Sequence, residues 1–202
     1  LATSPPRLCS VCGGPQFETP SGPTCKNGHG GVEPLDLVEL TEYQQKAEDL
    51  IKSWLDEDPT LNPYFLVKGY AGSGKTWFSG HLKKVFSSHA NKPTTIVYAA
   101  PTHKAAAVAS KFLDAPVSTL ASVLNIKVSD EDEELSYDLP DTLPVFAPNT
   151  LIQIDESSML STQYLDFLKR IVEVFRIRVL FFGDPAQLPP VGETRSPVWK
   201  LV

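Results

Sequence analysis

An α/β fold built on a parallel sheet is what this 202-residue sequence predicts, on three observations. Short apolar, partly β-branched runs of strand length recur along it, separated by segments whose apolar residues repeat at helical spacing. These runs end in glycine, carboxylate or small polar residues, as a parallel sheet does when its chemistry gathers at one edge. One strand-to-helix junction reads Gly69-Tyr70-Ala71-Gly72-Ser73-Gly74-Lys75-Thr76, the G-x-x-x-x-G-K-S/T spacing of a phosphate-binding loop.

All three cysteines lie in the first 25 residues, and Cys9, Cys12, Cys25 and His29 form a C-x2-C-x12-C-x3-H pattern. Three thiolates and an imidazole make a closed tetrahedral Zn²⁺ site, expected to be structural because no coordination position stays open. The stretch between is rich in Pro, Gly, Ser and Thr, so a metal would supply folding energy that a core cannot. Residues 1–32 are therefore expected to be a small zinc-binding module and 33–39 a linker. Three cysteines would leave one unpaired in a disulfide framework.

The main domain is expected over 40–202. Thr41 can cap a helix whose apolar face is Ala47, Leu50, Ile51, Trp54 and Leu55. Gln44 on its first turn carries an amide that matches both edges of adenine; on an isolated amphipathic helix it would be a surface residue. Phe65-Leu66-Val67 is a buried strand, and Trp77 to Phe86 continue as a helix. Between them, backbone N–H groups of Gly72, Ser73 and Gly74 and the helix N-terminus face phosphate oxygens. Lys75 supplies a full positive charge, and the Thr76 hydroxyl is a Mg²⁺ ligand.

Thr94 to Ala100 is the next strand, ending in Pro101-Thr102-His103-Lys104 before an Ala-rich helix. Small polar and basic groups there fit contact with a phosphate backbone. Ser118-Thr119 precede a short helical or mixed segment, Leu120 to Ile126. Residues 127–147 are acidic and proline-bearing, a solvated loop or a small hairpin insert. Leu151-Ile152-Gln153-Ile154 is a strand ending in Asp155 and Glu156, one carboxylate for Mg²⁺ and one to accept a proton from an attacking water. Val179 to Phe182 is the last strand, followed by Gly183-Asp184-Pro185-Ala186-Gln187, where Gln187 can reach a γ-phosphate or its attacking water.

The net charge of −6 argues against a uniformly basic nucleic-acid coat and leaves room for a local groove. No apolar run approaches the roughly 20 residues of a membrane span, so no membrane partner is expected. The N-terminus lacks a signal peptide's basic and apolar regions, so an intracellular, cytoplasmic location is expected.

In order, five segments over about 40–202 make this sequence resemble the superfamily 1B DNA helicases, the RecD- and Dda-like enzymes. Leu40-Thr41-x-x-Gln44 resembles their adenine-reading Q motif, Gly69–Thr76 motif I, and Ala100-Pro101-Thr102-His103-Lys104-Ala105-Ala106 motif Ia. Asp155-Glu156-Ser157-Ser158-Met159 resembles motif II, and Gly183 to Val191 motif III. Ser118-Thr119-Leu120-Ala121 is similar to motif Ib, with Ala121 where relatives often carry His. The resemblance implies a RecA-like P-loop parallel sheet with flanking helices. It also implies an ATP- and Mg²⁺-dependent motor moving 5′ to 3′ on single-stranded DNA. The catalytic set is Lys75, Asp155, Glu156 and Gln187; the DNA contacts are Pro101, Thr102, His103, Lys104, Ser118 and Thr119. At 127–147 the family places a strand-separating pin, with Tyr137 its candidate aromatic.

The family also has a second RecA-like domain with motifs IV to VI and an arginine that completes the ATP site. The sequence reaches Val202 just past motif III, so it is expected to be the N-terminal portion of a larger helicase. Alone it is expected to hydrolyse ATP poorly and unwind nothing. Two other functions compete: a motor subunit of a nuclease or recombination complex, for which no nuclease carboxylate cluster is present, and a nucleotide-regulated DNA-binding adaptor. The zinc module is expected to dock replication or recombination proteins, in a protein whose expected processes are DNA replication, recombination and repair.

Overall fold

The computed structural model describes residues 16–19, 22–25, 39–131, 134–138 and 140–201. The chain divides into two compact units, Leu1–Thr41 and Glu42–Val202. In the first, β1 (Gln16–Thr19) pairs antiparallel with β2 (Gly22–Cys25), Gln16 opposite Cys25. Its Pro- and Gly-rich composition did not announce this hairpin; Phe17, Thr19 and Thr24 are the residues with strand preference. Of the expected zinc ligands, Cys25 ends β2; Cys9, Cys12 and His29 lie outside the described residues.

The second unit is a five-stranded parallel sheet between helices. Its strands are β3 (Tyr64–Lys68), β4 (Thr95–Ala100), β5 (Ser118–Thr119), β8 (Thr150–Ile154) and β9 (Arg178–Gly183), in the order β3-β9-β8-β4-β5. Every residue of β8 and β9 is buried, which explains why they read as continuous apolar runs rather than alternating ones. The helices are α1 (Glu42–Asp56), α2 (Lys75–Ser88), α3 (His103–Leu113), α4 (Leu120–Val123) and α5 (Thr162–Phe175). Between α4 and β8, β6 (Lys127–Glu131) and β7 (Glu134–Asp138) form an antiparallel pair with Val128 opposite Tyr137.

Side-chain alternation divides the sheet's two faces. Ile152, Ile154, Val179 and Phe181 face the cluster built by Leu165, Leu168, Ile171 and Val172 of α5 and Leu120 and Leu124 around α4. On the opposite face Phe65 packs on Trp54 of α1, Phe182 on Phe78 of α2, and Tyr98 on Ala109 and Leu113 of α3. Each such phenylalanine contributes about 1.5–3 kcal/mol when fully buried. The Gln153 amide, buried on this second face, donates to Ser79 Oγ of α2 at 2.5 Å and joins the helix to the sheet.

Two charged side chains fix α1. Arg178, the first residue of β9, donates from Nη2 to the carbonyls of Leu55 (3.1 Å) and Glu57 and lies 5.7 Å from the centre of the Trp54 ring. It thereby satisfies carbonyls that the end of α1 leaves without helical partners. Glu48, 7% exposed, meets His81 Nε2 of α2 at 2.6 Å and Lys52 Nζ at 2.5 Å.

Burial alone would raise the Glu48 carboxyl, but its hydrogen bonds and charge interactions with Lys52 and His81 outweigh that and hold it below the ordinary 4.5. A carboxyl depressed in the folded state adds stability above its unfolded pKa and loses it as the pH falls through the folded one. The stability gap between wild type and Glu48→Gln is expected to be widest near neutrality and to close as the pH drops below 4.5, read by urea unfolding across a pH series.

Candidate active site

Three strands end where the candidate nucleotide residues collect. β3 runs into the glycine loop, whose Gly69 N–H donates to Gly183 O at the end of β9 (3.1 Å). Ser73 N–H turns back to Tyr70 O (3.1 Å), forming the crest with Gly72. Gly74 then enters α2 at φ +78°, a left-handed conformation that a side chain rarely adopts. A methyl group there would stand 3.1 Å from Gln44 Nε2, so the Gln44 amide lies directly against the loop. Lys75 Nζ reaches over the loop and donates to Gly69 O (2.7 Å) and Tyr70 O (3.0 Å).

β8 delivers the carboxylates. Asp155 N–H continues the sheet ladder to Ala99 O of β4 (3.0 Å), which holds the residue at the strand's end. Its Oδ2 accepts from the Thr76 hydroxyl at 3.4 Å and its Oδ1 from Glu156 N–H at 2.9 Å. Asp155 is 7% exposed, and burial pushes its carboxyl above the ordinary 3.8. The neighbouring Glu156 charge pushes it the same way, against the hydrogen bonds from Glu156 N–H and Thr76 and the charge of Lys75. Oxygen donors from Thr76 and Asp155 suit a hard divalent cation such as Mg²⁺.

Glu156 has φ 53° and ψ 38°, left-handed without being glycine. Such a backbone costs of order 1 kcal/mol and concentrates at functional sites. Its Oε2 is buried and makes no hydrogen bond among the described residues, leaving an acceptor available for a water or substrate proton.

The segment after β9 supplies Gln187. Its Oε1 accepts from Ser158 Oγ at 2.7 Å, and its N–H donates to Asp184 O at 3.1 Å. The nearly buried Asp184 accepts from Ala186 N–H at 2.9 Å, fixing the turn that presents Gln187. Sequence reasoning gave Ser158 and Asp184 no role; their positions inside the two motifs were the signal. Gly183 is also constrained: a methyl group there would meet Trp199 at 2.7 Å and Ser157 Oγ at 2.8 Å.

The residues expected to touch DNA lie past the ends of β4 and β5. Thr102 caps α3, its hydroxyl accepting from Ala105 N–H at 3.1 Å, and exposed His103 and Lys104 occupy the first turn. β5 pairs Ser118 with Ala99 and Thr119 with Ala100, and Thr119 Oγ1 accepts from Ser122 N–H at 3.2 Å. His103, Ser118 and Thr119 share a cleft of about 360 Å³ with Ser110 and Ser122; Pro101 and Lys104 do not line it. A larger cleft of about 460 Å³ lies between the β3 entrance and α5, lined by Pro63, Tyr64 and Arg176 among others, and holds none of the expected site residues. Among the described residues no group of three His, Cys, Asp or Glu could hold a metal, and no helix is long and apolar enough to cross a membrane.

The AAA domain family matches residues 58–198, well over half of the chain. An uncharacterised protein of Acanthamoeba polyphaga mimivirus is 31% identical over 179 residues, covering 80% of this chain and 35% of that protein. The ATP-dependent DNA helicase dda of Enterobacteria phage T4 is 27% identical over 157 residues, covering 78% of this chain and 34% of that protein. The chain thus spans about a third of the length of the curated relatives it matches. With a glycine loop, paired carboxylates and a glutamine gathered at the ends of parallel strands, the chain belongs to the AAA domain family and carries a superfamily 1B helicase-like domain.

Proposed function

We propose that this chain is the ATP-binding half of a 5′-to-3′ DNA helicase that couples ATP hydrolysis to movement along single-stranded DNA. The observation that carries the reading is the 3.4 Å contact between Thr76 of the glycine loop and Asp155 of the carboxylate strand, with Lys75 and Glu156 on either side. The name of the phage relative, the resemblance of five ordered motifs and the cleft at His103, Ser118 and Thr119 support DNA as the track.

In this reading the phosphates lie along the backbone N–H groups of Gly72, Ser73 and Gly74. Lys75 leaves its loop carbonyls to neutralise the β- and γ-oxygens. Gln44 hydrogen-bonds the adenine. Thr76 and Asp155 would hold Mg²⁺, which supplies charge stabilisation to the phosphate oxygens when bound. Glu156 Oε2 accepts a proton from water as the water oxygen bonds to the γ-phosphorus and the bond to the bridging oxygen breaks. Gln187, whose carbonyl oxygen accepts from Ser158, turns its amide N–H₂ toward the γ-phosphate and reports its loss to the strand. Pro101, Thr102, His103, Lys104, Ser118 and Thr119 grip the DNA backbone. Cys9, Cys12, Cys25 and His29 would hold Zn²⁺, which would supply folding energy to the N-terminal module, and that module docks replication or recombination proteins.

Lys75→Ala is expected to reduce ATP affinity by at least about a hundredfold, consistent with loss of a charge-assisted contact to phosphate, and Glu156→Gln to bind ATP normally while losing hydrolysis. Calorimetry and a phosphate-release assay read the two; normal ATP binding by Lys75→Ala would show the site assignment to be wrong.

Asp155→Asn removes a carboxylate that burial disfavours, so in nucleotide-free buffer its Tm is expected to exceed wild type, while Mg²⁺-dependent tightening of ATP binding disappears. Scanning calorimetry checks the first half and titration with and without Mg²⁺ the second.

For the N-terminal module the expected outcome is about one zinc per chain by elemental analysis of protein purified without chelator, lost when the cysteines are changed to Ser. Zinc content near zero in the intact chain would overturn that assignment.

A further inference from the structure

Glu48 and His81 form a part-buried hydrogen-bonded contact that none of the steps above uses. Glu48 lies one turn beyond Gln44 on the same face of α1, and His81 lies two turns beyond Gly74 on α2. The α1–α2 boundary is therefore held at two points: the Gln44 amide against Gly74, and the Glu48 carboxylate against His81 Nε2 at 2.6 Å. The imidazole has little freedom to follow a displaced partner. It stacks on Trp77 (5.6 Å between ring centres, 20° between planes) and Phe78 (6.1 Å, 13°). The second carboxylate oxygen is taken by Lys52 Nζ, so both oxygens of Glu48 are engaged.

We infer that the Glu48–His81 contact is the positioning element that sets the rotation of α1 and thereby aims Gln44 at the nucleobase, making it a determinant of adenine preference. This rests on the proposed adenine-reading role of Gln44. Ile51, Trp54 and Leu55 bury α1, but apolar packing is non-directional and tolerates small rotations. A hydrogen bond, which weakens steeply with misalignment, does not. Side-chain tips stand about 5–6 Å from a helix axis, so a rotation of about 20° moves the Gln44 amide by about 2 Å, enough to break a base contact. The phosphate loop is anchored separately, through Gly69 N–H to Gly183 O, so losing the latch leaves phosphate binding in place.

The test measures ATP, GTP and inorganic tripolyphosphate affinities, all with Mg²⁺, on the full 202-residue chain. The variants are Gln44→Ala, His81→Ala, His81→Gln, Glu48→Leu and the Gln44→Ala/His81→Ala pair. His81→Ala is expected to cut the ATP-over-GTP preference by about fivefold, the worth of one hydrogen bond, with tripolyphosphate affinity within about twofold of wild type. His81→Gln, whose amide can still donate to Glu48, restores most of the preference, and the double variant is no worse than Gln44→Ala. Glu48→Leu, which can neither donate nor accept, gives the same direction of change should His81→Ala fail to fold. Preference left intact in folded His81→Ala or Glu48→Leu overturns the inference. So does a parallel loss of all three ligands, which marks a merely structural contact. A Gln44→Ala variant with unchanged preference overturns the adenine reading itself and the inference with it.

Discussion

The candidate site depends on β8 being completely enclosed. A strand buried on both faces and hydrogen-bonded on both edges has one position in which its side chains alternate correctly between two cores. Ile152 and Ile154 are committed to the α5 side and Gln153 to the α2 side. The residue after Ile154 is thereby delivered to the sheet edge beside α2, and that residue is Asp155. A one-residue slip would exchange every one of these commitments, so the register of the core and the placement of the carboxylate are a single constraint.

Around that fixed strand the remaining groups are held with different firmness. Thr76 sits at the start of a helix joined to β8 through Gln153 and to β9 through Phe78, and moves only if α2 moves. Gln187 belongs to a turn organised by Asp184, with Ser158 as its side-chain partner, and is itself exposed. Gln44 depends on the seating of α1, which Arg178 holds at its C-terminal end and Glu48 near its middle. The site thus joins a floor of loop and carboxylates held by the sheet to two amides whose placement depends on a turn and on the seating of a helix.

Much of this arrangement was legible in the sequence because its signals are local. β3, β4, β8 and β9 are contiguous apolar runs, and the glycine loop is a spacing of eight residues. α5 was not read from the sequence, although Ser161 as cap and the helical spacing of Tyr164, Leu165, Leu168, Ile171 and Val172 mark it. The contacts between distant segments were not legible. Arg178 meets carbonyls more than a hundred positions away, and His81 finds Glu48 across two helices. Neither pairing leaves a periodicity or a motif behind. The hairpin of β1 and β2 was hidden for another reason: its strands are four residues each, too short for an alternation to stand out among Pro and Gly.

The strand order also governs how the molecule is assembled in time. β3 lies at the sheet edge with β9 as its neighbour, Leu66 opposite Phe181, although the two are separated by nearly the whole domain. During synthesis β4 and β8 can pair first, while the segment bearing the glycine loop waits for the last strand to emerge. Closing so long a connection is slow relative to local pairing. The anchor of the loop to Gly183 joins segments more than a hundred positions apart, so it requires the last strand to be in place. ATP in the cell would accordingly do little to speed folding; by binding the finished sheet it would slow unfolding, acting as a kinetic lock on the completed domain.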